Sequence, residues 1–574
     1  MSFISYMRVL LTVAFMAFCI GCGSKPPEYV ATDSQNNQQS GTDSLDELQK
    51  ATNTEQIRTV LNQFDSDNTE VGKRPELTEA AKQSLVKAGL SPQEIEECSR
   101  QSFAPNDAFF ILERIRIRNS IAALEIAKLS APAKLAQITS WLNRMVYLRS
   151  NFPVPTAASD TLLFGLGNEL SLAKLYQVTF QSMGYGVFFL ADSKLKTTPA
   201  WKPSSQFSVP PVLGKIDALL VLVDQEAFVV DFRNGQVLGS SGNPVPLSKL
   251  AEDPKAFATV TASTPPNWIA YHSDAPVAYS SKMKWLETQF SQQKQCSLFI
   301  DLPAQIATID ALIKSHPQLI TKHQRWAVEN DQYAPSQLTI RYNIQEPIDA
   351  ATNLSPMLAA RTQLFPYPVP DLKVNNQYVR EQIALAHQGI YFRLYYSEES
   401  PRQQILNGSF RDATSVLSEL RTLTETARSN GYDQAKTEKD LNDYEAWLTA
   451  VTKADATYQR LRNSDESEAA KAKNELDRLR ADPRKQSLLI NALLRRESDD
   501  YLVELNYLLT QTVLERAFRA ELRNPKMNSD SWDNTIYWLK RYKDSAERSS
   551  IRNPDRDRHI QKLFDLCKTY ITPK

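Results

Sequence analysis

The sequence predicts an α+β protein that is predominantly helical, with one small antiparallel sheet followed by a C-terminal region of helical hairpins. Three observations support this prediction. Apolar residues recur at helical spacing through most of the chain. Short apolar runs bounded by turn residues, which are typical of strands, are concentrated in the middle. Only 16 of the 574 residues are glycine, which disfavours a turn-dense β architecture.

The composition argues against several classes of function. Lys+Arg and Asp+Glu number 66 each, so no large net charge would attract nucleic acid, and we predict no nucleic-acid partner. Beyond the N-terminal leader the cysteines are Cys98, Cys296 and Cys567, which are widely separated. This spacing predicts no metal site, and we expect no cofactor. The sequence leaves two alternatives for these cysteines: two of them form a disulfide, or all three are free buried thiols.

The N-terminus has the features of a lipoprotein signal peptide. Arg8 precedes the apolar run Val9–Ile20, which as a helix would span roughly 18 Å of a hydrocarbon layer of about 30 Å. Cys19-Ile20-Gly21-Cys22 then resembles the lipobox of bacterial lipoproteins, so we predict cleavage before Cys22 and lipidation of that cysteine. An ordinary signal peptide cut nearby, or a short membrane anchor, is the alternative.

The residues after Cys22 predict a tether. Residues 23–44 are polar and nearly free of large apolar side chains, so they cannot bury enough surface to fold. The lipid would supply the membrane affinity and would place the chain in the cell envelope, facing the periplasm. The residue after Cys22 is Gly23 and not the Asp that retains enterobacterial lipoproteins at the inner membrane, which favours the outer membrane.

The first folded segments are predicted to be helices. Ser44-Leu45-Asp46-Glu47 forms a capping box before a helix that reaches about Phe64. A second helix begins at Pro75, and two stronger periodic segments follow at 106–128 and 131–149. We interpret their apolar residues as core.

The pattern changes between Gly165 and Asp231. A helix over residues 170–183 stops at Gly184 and is followed by the strand 186–190. The runs 216–223 and 227–232 flank a short polar turn, which predicts an antiparallel hairpin.

This order of elements resembles the core of the transglutaminase-like (papain-like) family. There a helix begins with the nucleophilic Cys, a His opens a later strand, and an Asp closes its partner strand. Ala173, Tyr176 and Gly184 match the structural positions of that helix. The resemblance places Glu169 at the Cys position, Asp217 at the His position and Asp231 at the Asp position.

The substitutions at these positions predict a pseudoenzyme. Thiol catalysis needs a thiolate, an imidazole and a group that orients the imidazole, and neither Glu169 nor Asp217 can replace its counterpart. The alternative is a hydrolase or transferase with new carboxylate or metal chemistry at Glu169, Asp217 and Asp231.

The rest of the chain extends this domain and then becomes helical. Strands are predicted at 297–301 and 337–344, around a helix over 302–316. Residues 405–417 resemble one tetratricopeptide-like turn around Gly408, and the aromatic-rich segment 529–543 is either core or a partner-binding stripe. The whole also resembles uncharacterised planctomycete-type lipoproteins, through patterns such as 250–254, 366–368 and 408–413.

The sequence therefore predicts six segments and a binding function. In order, they are the signal peptide 1–21, the tether 22–44, N-terminal helices 45–104, the degenerate transglutaminase-like domain 105–262, an α/β extension 263–375 and a helical region 376–574. We expect a non-catalytic binding or scaffold protein with a protein partner in the envelope.

Overall fold

The computed structural model describes most of the chain beyond the N-terminal leader and tether. The described residues are 47–48, 50–51, 54–66, 75–149, 157–192, 216–240, 243–261, 266–290, 296–325, single positions between 380 and 395, 399–462, 466–524 and 529–571. Cys22, the tether and the predicted strand 337–344 lie outside them. The chain divides into an N-terminal unit, Thr32–Ile340, and a C-terminal unit formed by Arg341–Ile405 and Ser409–Lys574. The six predicted segment boundaries stay predictions.

Between Thr54 and Met145 the described residues of the N-terminal unit form the helices α1 Thr54–Ser66, α2 Glu79–Lys87, α3 Pro92–Ser99, α4 Pro105–Ala122 and α5 Ala131–Met145. Local signals set their starts. Ser91 and Glu94 form a capping box at α3, and the Asp107 carboxylate accepts the backbone N–H of Ala104 at the start of α4 (2.7 Å). α4 is buried on nearly all sides, which makes it a core helix of this unit.

A six-stranded sheet lies at the centre of the unit. Its strands are β3 Gly186–Asp192, β4 Ile216–Val223, β5 Glu226–Asp231, β6 Gln236–Val237, β9 Trp268–His272 and β10 Ile320–Arg325, in the order β10-β9-β3-β4-β5-β6. Four short strands form two further pairs among the described residues: β1 Tyr147–Leu148 with β2 Leu166–Gly167, and β7 Gly239–Ser240 with β8 Asn243–Pro244. The predicted hairpin is confirmed, because β4 and β5 pair antiparallel around Asp224 and Gln225.

Helices cover both faces of this sheet. The remaining helices of the unit are α6 Ala158–Phe164, α7 Glu169–Gln181, α8 Leu247–Leu250, α9 Ser281–Phe290 and α10 Leu302–Ser315, with short 3-10 turns at Pro254–Phe257 and Pro276–Tyr279. Of these helices, α7, α8 and α10 contact the strands of the sheet. α7 packs against β3 and β4. The alternate side chains of these strands point to the opposite face and pack on α8, on Phe257 and on Ile309 of α10. All eight residues of β4 are therefore buried.

Two of the sequence predictions for this sheet are wrong. The sheet is mixed rather than antiparallel, because β10 runs parallel to β9. Residues 297–301 do not form a strand. The backbone N–H groups of Leu298 and Phe299 donate to the Glu287 carboxylate (2.8 and 2.6 Å), so a side chain takes the donors that a neighbouring strand would need.

The C-terminal unit is helical throughout its described residues from 399 to 571, apart from short connections. Its helices are α11 Pro401–Leu406, α12 Phe410–Ser429, α13 Gln434–Leu461, α14 Glu466–Arg480, α15 Pro483–Arg523, α16 Ser529–Arg548 and α17 Pro554–Ile571. The predicted turn is present, with Gly408 at φ +80° between α11 and α12. α15 is 41 residues long and packs against α12, α13 and α16. The predominantly helical α+β class is thus confirmed.

Candidate functional site

The N-terminus of α7 positions the first predicted residue. The side chain of Asn168 accepts the backbone N–H of Ser171 (2.8 Å) and so caps the helix, which makes Glu169 its first residue. The preceding Gly167 has no room for a side chain, since a Cβ there would lie 2.8 Å from Cγ2 of Thr161. This close approach holds the start of α7 against α6.

Asp217 is the second residue of β4 and is buried, with a relative exposure of 5%. Its Oδ2 accepts the indole N–H of Trp268 on β9 at 3.0 Å. Burial of a carboxylate is costly unless hydrogen bonds satisfy it, and this bond across the sheet does so. Asp217, which the sequence resemblance aligns with an imidazole, is therefore a buried carboxylate bonded to Trp268.

Asp231 ends β5 and organises the turn that follows. Its Oδ1 accepts the backbone N–H groups of Arg233 (3.2 Å) and Asn234 (3.1 Å), and its Oδ2 accepts the Asn234 side chain (2.8 Å). Gly235 completes the turn at φ +66°, and a Cβ there would collide with Asn143 of α5 at 2.1 Å. Both carboxylate oxygens of Asp231 thus accept hydrogen bonds from its own turn.

Arg233 joins the three predicted positions. Its guanidinium donates to the Glu169 carboxylate and to the backbone carbonyls of Ile216 and Asp217, the last at 2.8 Å. The same residue donates its backbone N–H to Asp231. The start of α7, the start of β4 and the end of β5 therefore meet at one arginine, which we call the Arg233 site together with Glu169, Asp217 and Asp231.

The interior beneath the Arg233 site is apolar. Tyr176, in the third turn of α7, is fully buried, and its hydroxyl donates to the carbonyl of Thr139 on α5 (3.0 Å). Burial, with a smaller contribution from the Asp231 charge, raises the pKa of this hydroxyl above its usual range. Tyr176 is therefore a packing residue that stays neutral. At the surface, the side chains of Arg233 and Glu169 are 19% and 40% exposed.

Arg233 contacts all three residues, but each of their carboxylates has a different partner. Glu169 pairs with Arg233, Asp217 accepts from Trp268, and Asp231 accepts from its own turn. Within the part of the chain that the structure describes, no group of three or more His, Cys, Asp or Glu side chains could hold a metal ion. The carboxylate and metal chemistry considered above stays an untested alternative.

The thiols of the described residues lie elsewhere. Cys98, Cys296 and Cys567 are buried, and no disulfide joins these three described residues. The Cys98 Sγ donates to the carbonyl of Pro276 (3.1 Å), and burial raises its pKa to about 12. Burial likewise raises the pKa of Cys296 to about 11. Both groups are thus neutral thiols at physiological pH, which is the unreactive form.

The aromatic-rich segment of α16 combines the two interpretations considered from the sequence. Trp532 and Leu539 are buried, at 1% and 0% exposure, and belong to the core. Tyr537 is 45% exposed, with the Arg541 guanidinium 5.3 Å from its ring centroid. Trp538 lies beside Tyr537 at 5.4 Å and receives Arg421 from α12. This helix therefore carries both core residues and one exposed tyrosine that lies beside an arginine and a half-buried tryptophan.

Sequence reasoning missed Arg233. Its signal was the run Arg233-Asn234-Gly235 directly after Asp231, which marks a tight turn and carries a cation two residues beyond the predicted site residue. The direction of a flexible arginine is set by its tertiary neighbours, so the turn was predictable and the ion pair was not.

Comparison with protein-family models, curated proteins and solved structures yields no match for this chain. No helix among the described residues has the length and apolar character needed to cross a membrane.

Proposed function

We propose that this chain is a lipid-anchored, non-catalytic binding or scaffold protein of the bacterial envelope. It would act through a transglutaminase-like groove without a catalytic thiol and through its C-terminal helices. The observation that supports the proposal is that Glu169, which the resemblance aligns with the catalytic Cys, is paired with the Arg233 guanidinium and not with an imidazole.

The chemistry of the Arg233 site supports binding rather than bond formation. A guanidinium stays protonated at physiological pH, so Arg233 cannot accept a proton from a nucleophile. Its donors are occupied by Glu169 and by the carbonyls of β4. The site therefore presents an ion pair whose carboxylate, that of Glu169, is half-exposed and can accept further hydrogen bonds from a polar chain.

The C-terminal unit supplies a second contact surface of suitable composition. Exposed tyrosine with neighbouring arginine and tryptophan, as at Tyr537, Trp538 and Arg541, is the residue mixture that dominates protein interfaces energetically. The envelope location rests on the N-terminal sequence, in which Cys22 follows a short apolar run.

The first experiment tests the partner. The lipid-free chain, residues 23–574, is immobilised and used to capture proteins from envelope extract, with quantitative mass spectrometry. We expect Glu169→Lys or Tyr537→Ser to reduce recovery of one specific set of proteins at least fivefold. Glu79→Lys is the matched control for the first variant, because Glu79 also lies in the first turn of a helix and pairs with Lys82. Tyr432→Ser is the control for the second, since Tyr432 is 43% exposed beneath Arg496.

The same protein decides against the alternative. Turnover of envelope peptides by the wild-type chain, abolished by Glu169→Gln, would establish an enzyme and overturn the proposal. If all four variants capture the same amount of protein, neither the Arg233 site nor the surface around Tyr537 binds the partner. Cys22→Ala should move the chain from the membrane fraction to the soluble fraction; unchanged membrane association would contradict the lipid anchor.

A further inference from the structure

Helix α16 has two faces with different surroundings. The ring of Trp532 lies 5.0 Å from that of Phe518, and the ring of Tyr542 lies 6.0 Å from that of Tyr507, so this face packs on α15. Trp532 and Tyr542 are each 1% exposed. The opposite face is in contact with solvent, and its residues are not needed for the packing of the helix.

Four exposed residues form a stripe along that opposite face. They are Tyr537, Arg541, Asp544 and Arg548, and we call them the α16 stripe. An α-helix turns by about 100° per residue, so these positions fall within about 60° of one another around the axis. The stripe therefore has an aromatic ring at one end, a cation at the other, and a cation and an anion between them.

The α16 stripe is complementary to itself when it is reversed. A second copy of α16 can lie antiparallel on the first, with a two-fold axis beside the midpoint between residues 542 and 543. Arg541 then faces Asp544 of the second copy, and Tyr537 faces Arg548 of the second copy. The symmetry makes each contact twice. Both central charges are paired, and both rings receive a guanidinium.

Other arrangements of two copies bring like charges together. In a parallel pair related by a two-fold axis, each residue lies beside its own copy, so Arg541 faces Arg541 and Asp544 faces Asp544. An antiparallel pair centred on residue 541 also places the two Arg541 side chains together. Facing like charges are unfavourable. The order of charges along the stripe therefore selects the antiparallel register centred between residues 542 and 543.

Contacts within the chain keep the stripe accessible. The Arg541 Nε donates to the Tyr537 hydroxyl (2.9 Å), which orients both side chains along the helix surface. The Arg548 Nε lies 3.7 Å from Oδ1 of Asp499 on α15, and the Arg548 side chain is still 42% exposed. An exposed pair of this length contributes little. Arg548 can therefore also contact a ring of a neighbouring molecule.

We propose that two copies of this chain associate through the α16 stripe as an antiparallel, two-fold dimer. This inference names the partner of the surface around Tyr537, so it rests on the proposal that this surface binds protein. A single pair of polar helix faces is a small interface, and the dimer is accordingly weak and reversible in solution. Lipid anchoring would concentrate the chains in the plane of the membrane and favour their association.

Sedimentation equilibrium of the lipid-free chain, residues 23–574, tests the dimer at concentrations from about 10 to 300 µM, the range of weak interfaces. We expect the wild type to show a monomer–dimer equilibrium. Arg541→Asp leaves two acidic stripes facing each other and Asp544→Arg two basic ones, so each should raise the dissociation constant at least tenfold. Arg478→Asp is the control, because Arg478 of α14 is 73% exposed and lies outside the stripe.

A mixture of the two variants tests the register itself. In an equimolar mixture of Arg541→Asp and Asp544→Arg chains, the acidic stripe of one chain faces the basic stripe of the other. The mixture should form a dimer with a dissociation constant within about threefold of the wild-type value, although each variant alone stays largely monomeric. Both positions are exposed, so the circular dichroism of the variants should match that of the wild type.

Three results would each overturn the dimer. They are a wild-type chain that is monomeric over the whole range, an Arg541→Asp variant that dimerises like the wild type, and a mixture that stays monomeric. A monomeric wild type whose capture of envelope proteins still falls in Tyr537→Ser would show that the surface binds a different protein. The proposed function would then stand without the dimer.

Discussion

The two units of this molecule each contain an Arg–Glu ion pair, and the two pairs differ mainly in burial. At the Arg233 site the side chains of Arg233 and Glu169 are 19% and 40% exposed. In the C-terminal unit those of Arg556 and Glu504 are 4% and 0% exposed, and their charged atoms lie 2.6 Å apart. The same residue types therefore perform different tasks in the two places.

Burial distinguishes the two pairs because it determines whether water can solvate one charge after its partner has been removed. A half-exposed carboxylate without its partner is solvated by water, so the pair contributes little to stability and can exchange for a ligand. A buried carboxylate without its cation keeps its desolvation cost. The Arg233 pair is accordingly suited to recognition and the Arg556 pair to maintenance of the helical core.

The largest effect is expected for the buried pair. Arg556→Met removes the cation beside Glu504 and should lower the free energy of unfolding by about 3–5 kcal/mol. Urea denaturation followed by circular dichroism measures this change. The double variant Arg556→Met/Glu504→Met should recover most of the loss, because it removes the stranded charge as well. A double variant as unstable as the single one would show that packing, not charge, is responsible.

A pair of intermediate burial should have an intermediate effect. Arg325 on β10 donates to Glu94 of α3, and the two side chains are 6% and 25% exposed. Arg325→Ala should cost about 2 kcal/mol of unfolding free energy, since it removes hydrogen bonds to a charged group. Arg58→Ala, which breaks the exposed Glu55 pair, is the control and should change stability by less than about 0.5 kcal/mol. Equal losses of unfolding free energy in Arg325→Ala and Arg58→Ala would show that burial does not set the contribution of an ion pair to stability.

The Arg325 effect should also depend on pH. Burial acts to raise the pKa of Glu94, but the hydrogen bonds and charge of Arg325 and Ser91 outweigh it and hold this pKa below its usual value. A carboxyl with a lowered pKa stabilises the fold above its unfolded value, and this contribution is lost as the pH falls. The free energy of unfolding of the wild type should therefore exceed that of Arg325→Ala by the full amount at pH 7. This difference should shrink progressively below about pH 4. A difference that is constant from pH 7 to 3 would contradict this assignment.

The smallest effect on stability is expected at the Arg233 site. Glu169→Gln preserves the size of the side chain and should change the unfolding free energy by less than about 1 kcal/mol. Any larger reduction in partner capture would then report recognition rather than unfolding. A stability loss above about 2 kcal/mol would instead make this pair structural and would remove the contrast with Arg556.

Much of the fold could be predicted from local patterns. The β4–β5 hairpin follows from two apolar runs around Asp224-Gln225, and the end of α7 follows from Gly184, which adopts φ +84°. The wrong prediction at 297–301 has a nonlocal cause. The Glu287 carboxylate accepts backbone N–H groups of this apolar run, which a strand would need for pairing with its neighbour. The direction of β10 was likewise invisible, since parallel pairing is set by packing between distant segments.

The sequence by itself determined that Glu169, Asp217 and Asp231 occupy three element ends and that none is a thiol or an imidazole. These facts depend on residue identity and spacing alone. Only the tertiary structure decided which group each carboxylate accepts hydrogen bonds from, with Arg233, Trp268 and the backbone amides of a turn as the respective partners. The reason is physical: periodicity and turn residues act over a few positions, whereas hydrogen bonds to buried charges are chosen among all groups that folding brings within about 3 Å.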